Sequence, residues 1–568
     1  MWILGISKSH NGAVALIKDG KVVCAIQAER LSRIKRQSIE LKNDKDLVSK
    51  CVNYCLKEAN IKHDDLQSIA ISTPWDVQLI KNKDLFHLIG GSPKNYKGTY
   101  YVPHHYAHAE YILHYSNLSE GIVLVIDGSG SKEEDRKDFN IKEKISSKCI
   151  LHTHNSGKET ISAYWFDGKE LSLIYRFSLS ADKSHECNQN GNGFLQSIGH
   201  YWRWASNYCC GLHTEAGKVM GIAAFGNPKV HSNLKILSIN QEGFINVDYQ
   251  KLNKNFNSPN IFGKDLTFNS HYSDIAAMVQ KDTEEIIFSI LKILKKKHPT
   301  DNLYYAGGVA LNMVANEKII RSNLFNNVVL NGSVEDNGTA IGAALATSST
   351  LISKRLSGKL TDFYGRQYSN EEILKSIKKF PFKYEFIGED KKYDLVASLI
   401  FKNKVVGWFQ GRSEFGPRAL GNRSIIANPM NYKTKLTLDL NIKQRDRYRP
   451  YAPVVLEQYA KKYFDICGIS PLMMSGGKVL NKDFPAVTHV DGSARVQTLS
   501  EDNNKYFYYL IKSFYKLSGF PVILNTSFNL PGEPIVETPT DALNSFSNGS
   551  LQYLCLGNYL VTRMQSEQ

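Results

Sequence analysis

Within Tyr101-Val-Pro-His-His-Tyr-Ala-His-Ala-Glu110 two histidines stand four residues apart. Pro103 has no N–H to leave unsatisfied and its φ is preset, so the spacing predicts a helix from Pro103 with His104 and His108 on one face. Two imidazoles so placed can bind one metal ion; taken alone, the pair is equally one face of an amphipathic helix. His10 stands in the loop Ser7-Lys-Ser-His-Asn-Gly12 between two apolar runs. A neutral imidazole there can act as general base on a hydroxyl, or bond its own turn. In the second half, Arg418, Arg423, Lys443, Arg445, Arg449 and Arg495 fall in glycine- and proline-bearing stretches. They are interleaved with Phe415, Pro417, Leu420, Pro450 and Tyr451, an odd composition for a solvated basic face. Guanidinium forks match phosphate oxygens bidentately. Asn525, Thr526 and Ser527 end an apolar run and could hold a small anionic group. There is no Walker A motif, because Gly217-Lys218 is followed by Val219.

These residues need elements to position them. Residues 2–7 and 13–18 read as strands, Asp19-Gly20 as a tight turn, and Lys21 to Gln27 as a third strand. The same shape recurs. Ile122 to Ile126 is an apolar strand, Asp127-Gly-Ser-Gly130 a loop, and Ile161–Phe166 and Glu170–Phe177 flank the turn Asp167-Gly168. One strand-loop-hairpin unit thus appears twice, an internal duplication. Helical patterns lie at about 44–60 and 275–297, while Lys132 to Lys148, rich in Lys and Glu, reads as a mobile surface loop. Leu303 to Ala306 leads into Gly307-Gly-Val-Ala-Leu-Asn312, a strand, glycine turn and helix start that lets backbone N–H groups approach a phosphate or sugar. Asp336-Asn-Gly-Thr-Ala-Ile-Gly-Ala-Ala-Leu345 enters a small-residue helix. A polar stretch at 350–390 marks a boundary, with a second α/β region from near Asp394.

The 568 residues are too many for one core. Hydrophobic residues at 42% and charged residues at 22% are ordinary for a globular protein. No apolar run is long enough to span a bilayer, and no signal-peptide pattern starts the chain. The nine cysteines have no framework spacing, which reads as reduced thiols and a cytoplasmic protein. A net charge of +15 could serve nucleic acid, but the Lys/Asn/Ile-heavy composition favours a lysine-rich surface, and no RNA-binding aromatic signature or zinc knuckle accompanies it.

Duplicated hairpin units with Asp-Gly-Ser/Thr-Gly loops resemble the actin/Hsp70/sugar-kinase superfold. That resemblance sets Asp127 at the mouth of a cleft and Asp336 in a loop of the opposite lobe. Either aspartate alone is as readily a turn or cap residue. With His104 and His108 they make a two-histidine, two-carboxylate set, suited to iron(II) or manganese more than to structural zinc.

Longer strings carry a fuller resemblance. They include Gly5-Ile-Ser7 with His10, Ala28-Glu-Arg30, Pro103-His-His with His108, Gly217-Lys-Val-Met-Gly221, Glu414-Phe-Gly-Pro-Arg-Ala-Leu-Gly-Asn-Arg-Ser424, Arg449-Pro-Tyr-Ala-Pro453, His489 to Thr498 and Asn525-Thr-Ser-Phe-Asn-Leu-Pro-Gly-Glu-Pro534. With them the chain resembles the NodU/CmcH-type O-carbamoyltransferase family, nearly end to end. The resemblance implies an α/β protein of two domains. Residues 1–360 would form a duplicated actin-like transferase. Residues 361–568 would resemble threonylcarbamoyl-adenylate synthase. The second domain would make carbamoyl-adenylate from ATP, with Mg(2+), and carbamoyl phosphate. The first would pass the carbamoyl group to the hydroxyl of a small molecule, as in natural-product biosynthesis. His104, His108, Asp127 and Asp336 would hold Fe(2+) or another divalent metal, and His10 would be the base. Lys218, Gly307, Gly308 and Asn312 would line the carbamoyl-adenylate. Arg418, Arg423, Lys443, Arg449, Arg495, Asn525 and Ser527 would bind ATP and carbamoyl phosphate. Asn11, Ala28 and Arg36 depart from the family pattern (Asp, Glu and His there) and are expected on the acceptor side. The competing readings are a tRNA threonylcarbamoyladenosine-type enzyme, which the charge would suit, and a nucleotide-gated scaffold, which has no need of a metal set.

Overall fold

The computed structural model describes residues 1–40, 45–74, 95–154, 156–179, 196–256, 270–352, 355, 358 and 361–563. The chain divides into two compact units, Met1–Val23 with Ser38–Lys359 and Cys24–Gln37 with Leu360–Gln568.

The first unit holds two sheets of the same plan. In one, β1 (Trp2–Ser7) pairs antiparallel with β2 (Ala13–Lys18) and parallel with β4 (Leu66–Ser72). With β3 (Lys21–Gln27), whose residues from Cys24 onward are counted with the second unit, and β5 (Gly98–Val102) the order is β3-β2-β1-β4-β5. In the other, β6 (Gly121–Ile126) takes the place of β1. It pairs antiparallel with β8 (Lys158–Phe166) and parallel with β10 (Asn302–Ala306). With β9 (Leu171–Leu179), β11 (Asn327–Leu330) and an added edge strand β7 (Lys144–Thr153), the order is β11-β10-β6-β8-β9-β7. The internal duplication is therefore a property of the topology. Strand β6 is buried along its whole length, as its unbroken apolar run requires.

Helices fix the two ends that matter. α3 (His104–Leu113) follows β5 directly, and α7 (Gly338–Ile352) packs on it; α1 (Ala28–Ser32), α2 (Lys45–Ala59), α4 (Ile198–Cys210), α5 (Ser270–Lys297) and α6 (Met313–Arg321) complete the set used below. A Cβ on Gly342 would lie 1.8 Å from the Ala107 carbonyl oxygen, and one on Gly5 1.9 Å from that of Ala340. Glycine at these positions lets α7 lie directly on both α3 and β1.

The stretch Lys132–Lys148, expected as a surface loop, is ordered structure instead. It contains a 3₁₀ turn at Glu134–Asp138 and the start of β7. Arg136 donates to Glu133 (2.7 Å) and Glu159 (2.5 Å), and Arg176 donates to Glu143 (2.7 Å). Arg136, Glu133 and Glu143 are thus arranged for ion pairs within the fold.

The second unit is built on an eight-stranded mixed sheet. Its strands are β12 (Lys383–Phe386), β13 (Val406–Phe409), β14 (Arg423–Ala427), β15 (Ala452–Leu456), β16 (Gln497–Leu499), β17 (Val522–Ser527), β18 (Tyr553–Leu556) and β19 (Tyr559–Thr562). Their order is β12-β19-β18-β13-β14-β17-β15-β16. Leu524, Phe528, Val536, Leu554 and Leu556 are among its buried core residues. Residues Cys24–Gln37, including α1, belong to this unit, and the Ala25 N–H donates to the Tyr364 carbonyl (2.9 Å). Ala28 and Arg36 lie with the second unit, and what a short helix docks on is decided by partners more than 300 residues away. The described cysteines are free thiols; Cys187 lies outside the described residues. Among the described residues no helix is long and apolar enough to cross a membrane.

Candidate functional site

α3 begins as its sequence requires, with Pro103 as the capping residue at φ −56°. Its first N–H groups have no partners within the helix. That of His104 donates to Ser131 Oγ (2.9 Å) and that of His105 to Glu159 Oε1 (3.0 Å). The turn is thereby pinned, and His104 and His108 project together, ring centroids 4.9 Å apart. Asp127 follows the last residue of β6, its N–H held by the Thr160 carbonyl (2.9 Å). Asp336 sits just before α7, and its carbonyl accepts from the hydroxyls of Ser7 (2.7 Å) and Thr339 (2.6 Å).

One ligand atom each from His104, His108, Asp127 and Asp336 lies within 4.8 Å of the other three, all buried. His104 Nε2 is 3.5 Å from both Asp127 Oδ2 and Asp336 Oδ1, and His108 Nε2 is 4.0 Å from Asp336 Oδ1. His104 Nε2 and both ring nitrogens of His108 have no hydrogen-bond partner. Buried polar nitrogens are almost always satisfied. Two orphaned imidazoles facing two carboxylates fit a divalent cation. Ser72 Oγ, 3.4 Å from His104 Nδ1, orients the ring so that Nε2 faces the carboxylates. His105 turns away, its Nδ1 2.8 Å from Ser162 Oγ.

His10 Nδ1 is 3.1 Å from Asp336 Oδ2, with the side chain 62% exposed. Asp336 pushes this imidazole up to about 9. Burial lowers His104, but Asp336 and Asp127 outweigh it and push the ring up to about 10. Burial and the neighbouring His104 push His108 down to about 3. Asp336, although buried, is held well below the carboxylate range by His10 and His104. In the absence of a cation, protons on His104 and His10 thus balance the carboxylates, and a divalent ion would displace them.

The glycine turn reaches this set. Gly307 has φ +91°, and a Cβ there would meet the Ile126 carbonyl oxygen at 2.2 Å. The Gly308 N–H donates to Asp127 Oδ1 (3.0 Å). Asn312 has its side chain committed: it caps α6 through the Ala315 N–H (3.1 Å) and donates to Gln280 (2.9 Å). Lys218 lies on the helix Ala216–Ile222 with its ammonium 3.6 Å from Glu215.

The second unit gathers cations. Arg418, Arg445 and Arg449 lie near enough to Arg495 that, with burial, they push its guanidinium down. Lys443 is buried and likewise pushed well below the usual lysine range by burial, Arg445, Lys35 and Arg449. Its ammonium donates to the carbonyls of Ser527 (2.8 Å) and Asn529 (2.9 Å), fixing it beside the end of β17. Such a crowd of cations calls for an anion. The loop that carries Arg418 is shaped by Glu414, whose Oε1 accepts N–H groups from Leu420 (2.7 Å), Asn422 (2.8 Å) and Arg423 (3.2 Å), and by Asn525, which donates to the Ala419 carbonyl (2.9 Å). Arg423 differs from the other arginines. It is fully buried, lies over the Phe409 ring at 3.6 Å, and donates to the carbonyls of Gln410 (2.7 Å), Gly411 (3.1 Å) and Glu537 (3.3 Å). Its guanidinium holds backbone together. Ser131, Ser72 and Glu159 were not singled out from the sequence, since nothing in their residue types or spacing marks them as supports of a histidine.

The family model described as Carbamoyltransferase N-terminus matches residues 2–345, and Carbamoyltransferase C-terminus matches residues 397–563. An uncharacterized protein of Synechocystis is 29% identical, covering 100% of this chain and 97% of its own. The nodulation protein NolNO of Sinorhizobium fredii is 30% identical over 98% of this chain and 79% of its own. The 3'-hydroxymethylcephem-O-carbamoyltransferase of Amycolatopsis lactamdurans is 30% identical over 50% of this chain and 53% of its own.

Proposed function

The chain belongs to the carbamoyltransferase family, and on that premise we propose that it is an ATP- and carbamoyl phosphate-dependent O-carbamoyltransferase with one chemical stage in each unit. The observation that carries this reading is the pair of clusters of opposite kind, a buried histidine and carboxylate set suited to a cation and a half-buried group of arginines around buried Lys443 suited to anions.

In the first stage, water releases phosphate from carbamoyl phosphate, and the carbamate oxygen attacks the α-phosphorus of ATP. Carbamoyl-adenylate forms and pyrophosphate leaves. Arg418, Arg449, Arg495 and Lys443 bind and balance the phosphates, Asn525 and Ser527 close the site, and Arg423 acts by holding the loop. In the second stage, a hydroxyl of a small molecule attacks the carbamoyl carbon, and AMP leaves with the bridging oxygen. His10 takes the hydroxyl proton. A divalent metal, iron(II) in this reading, would be held by His104, His108, Asp127 and Asp336 and would supply charge stabilisation to the carbamoyl donor. With a cation offsetting Asp336, His10 loses the pull that keeps it protonated and becomes a base near neutral pH. Gly307 and Gly308 line the adenylate with backbone, and Lys218 and Asn312 complete that wall. The cephem-carbamoylating relative, by its name, modifies a hydroxymethyl group, which supports a small-molecule hydroxyl acceptor.

The test is incubation with ATP, labelled carbamoyl phosphate, Mg(2+) and Fe(2+) against a panel of hydroxylated small molecules, with tRNA as a separate arm. Pyrophosphate release dependent on carbamoyl phosphate and a carbamoyl ester on a small molecule are expected. No such pyrophosphate release, or transfer to tRNA alone, would overturn the reading.

A further inference from the structure

Residues Cys24–Gln37 come from the start of the chain yet pack within the second unit. They grip two of its loops. Arg30, buried to 1% exposure, donates from Nη2 to the Gly416 carbonyl (2.7 Å). The Gly416 N–H donates in return to Gln27 Oε1 (3.0 Å). Both polar groups of this one peptide position are thus held by residues nearly 400 positions earlier. Gly416 has φ +121°, a conformation that other residues rarely adopt, and it stands two residues before Arg418. Three positions on from Arg30, Arg33 donates to the carbonyls of Pro534 and Ile535, both at 2.8 Å, and lies 3.9 Å from Glu533. Asn529, in the same loop, accepts the Lys443 ammonium. Lys35 adds positive charge facing Lys443.

We propose that Arg30, Gln27 and Arg33 are positioning residues for the anion site of the second unit: the amino-terminal segment clamps the Gly416 and Pro534 loops and so sets Arg418 and Lys443 in register. The clamp rests on the donor-forming role proposed above for that site. It makes the second unit dependent on a segment that interrupts the first in sequence, and it accounts for Arg30 being buried with its charge directed at backbone.

The test uses full-length protein carrying Arg30→Ala, Arg30→Lys or Arg33→Ala, assayed for carbamoyl phosphate-dependent pyrophosphate release. Divalent-metal binding by the first unit serves as a fold control. Arg30→Ala should raise the KM for carbamoyl phosphate or ATP by about tenfold or more with metal affinity unchanged, since a buried carbonyl loses its donor and the loop moves. Arg30→Lys, which can still reach the Gly416 carbonyl, should recover most of the loss, and Arg33→Ala should give a smaller rise. Unchanged KM values in Arg30→Ala, or a fall in kcat alone matched by a loss of folded protein, would overturn the clamp. Absence of pyrophosphate release in the wild-type protein would instead overturn the donor-forming role itself.

Discussion

The two units hold mirror-image problems. In the first, buried Asp127 and Asp336 face His104, which carries a proton when no cation is present, and His108, which does not. In the second, Arg495 and Lys443 face other cations and are pushed toward neutrality. In the first cluster protons on His104 and His10 offset the carboxylates, and in the second the Lys443 ammonium is held by the carbonyls of Ser527 and Asn529. Each is held by groups of the frame: Ser131 and Ser72 for the histidines, and the carboxylate of Glu414 closing on three backbone N–H groups for the arginine loop. The difference teaches that the kind of group gathered names the ligand: imidazoles with carboxylates suit a cation, and guanidinium groups with an ammonium suit an anion. The frame keeps the cluster from relaxing until that ligand arrives.

Breaking either cluster should leave the other intact. His108→Ala and Asp336→Asn should take bound divalent metal from about one per chain to none and cut transfer by at least about a hundredfold, with pyrophosphate release retained. Metal analysis and product assay check this. Arg495→Ala should do the reverse: pyrophosphate release falls about a hundredfold while metal binding persists. It should also blunt the rise in Tm that pyrophosphate gives the wild-type protein, since ligand stabilisation follows affinity for the folded state.

The pH dependence sharpens the comparison. His104 at about 10 and His10 at about 9 are protonated at neutral pH without metal, and metal binding releases those protons. Affinity for Mn(2+) should therefore rise with pH below about 9, by about tenfold per unit for each proton released. Calorimetry in buffers of differing ionisation enthalpy counts the protons. A smaller effect is expected for Glu159→Gln. This change removes the charge that two arginines balance and disturbs the acceptor of the His105 and Ser131 N–H groups. Metal affinity should weaken about tenfold, as for other outer supports of metal ligands.

Much of the first site was legible in the sequence because its signals are local or repeated. Pro103 and the four-residue histidine spacing belong to one turn, and the hairpin units announce a topology that the sheet orders share. What could not be read depends on distant partners. The Lys- and Glu-rich stretch around Arg136 resembles a solvated loop until Glu159 and Arg176 are brought beside it. Arg423 has the residue type of a phosphate ligand, and only the fold shows its guanidinium lying over the Phe409 ring and donating to backbone carbonyls. α1 carries no mark of the unit it joins.

The most direct measurement is a crossed assay of pyrophosphate release and metal content on the wild-type protein, His108→Ala and Arg495→Ala, with ATP and carbamoyl phosphate but no acceptor. Separate losses are expected: His108→Ala without metal but releasing pyrophosphate, and Arg495→Ala with metal but releasing little. Loss of pyrophosphate release in His108→Ala, or full release in Arg495→Ala, would contradict two sites of opposite charge with separate stages.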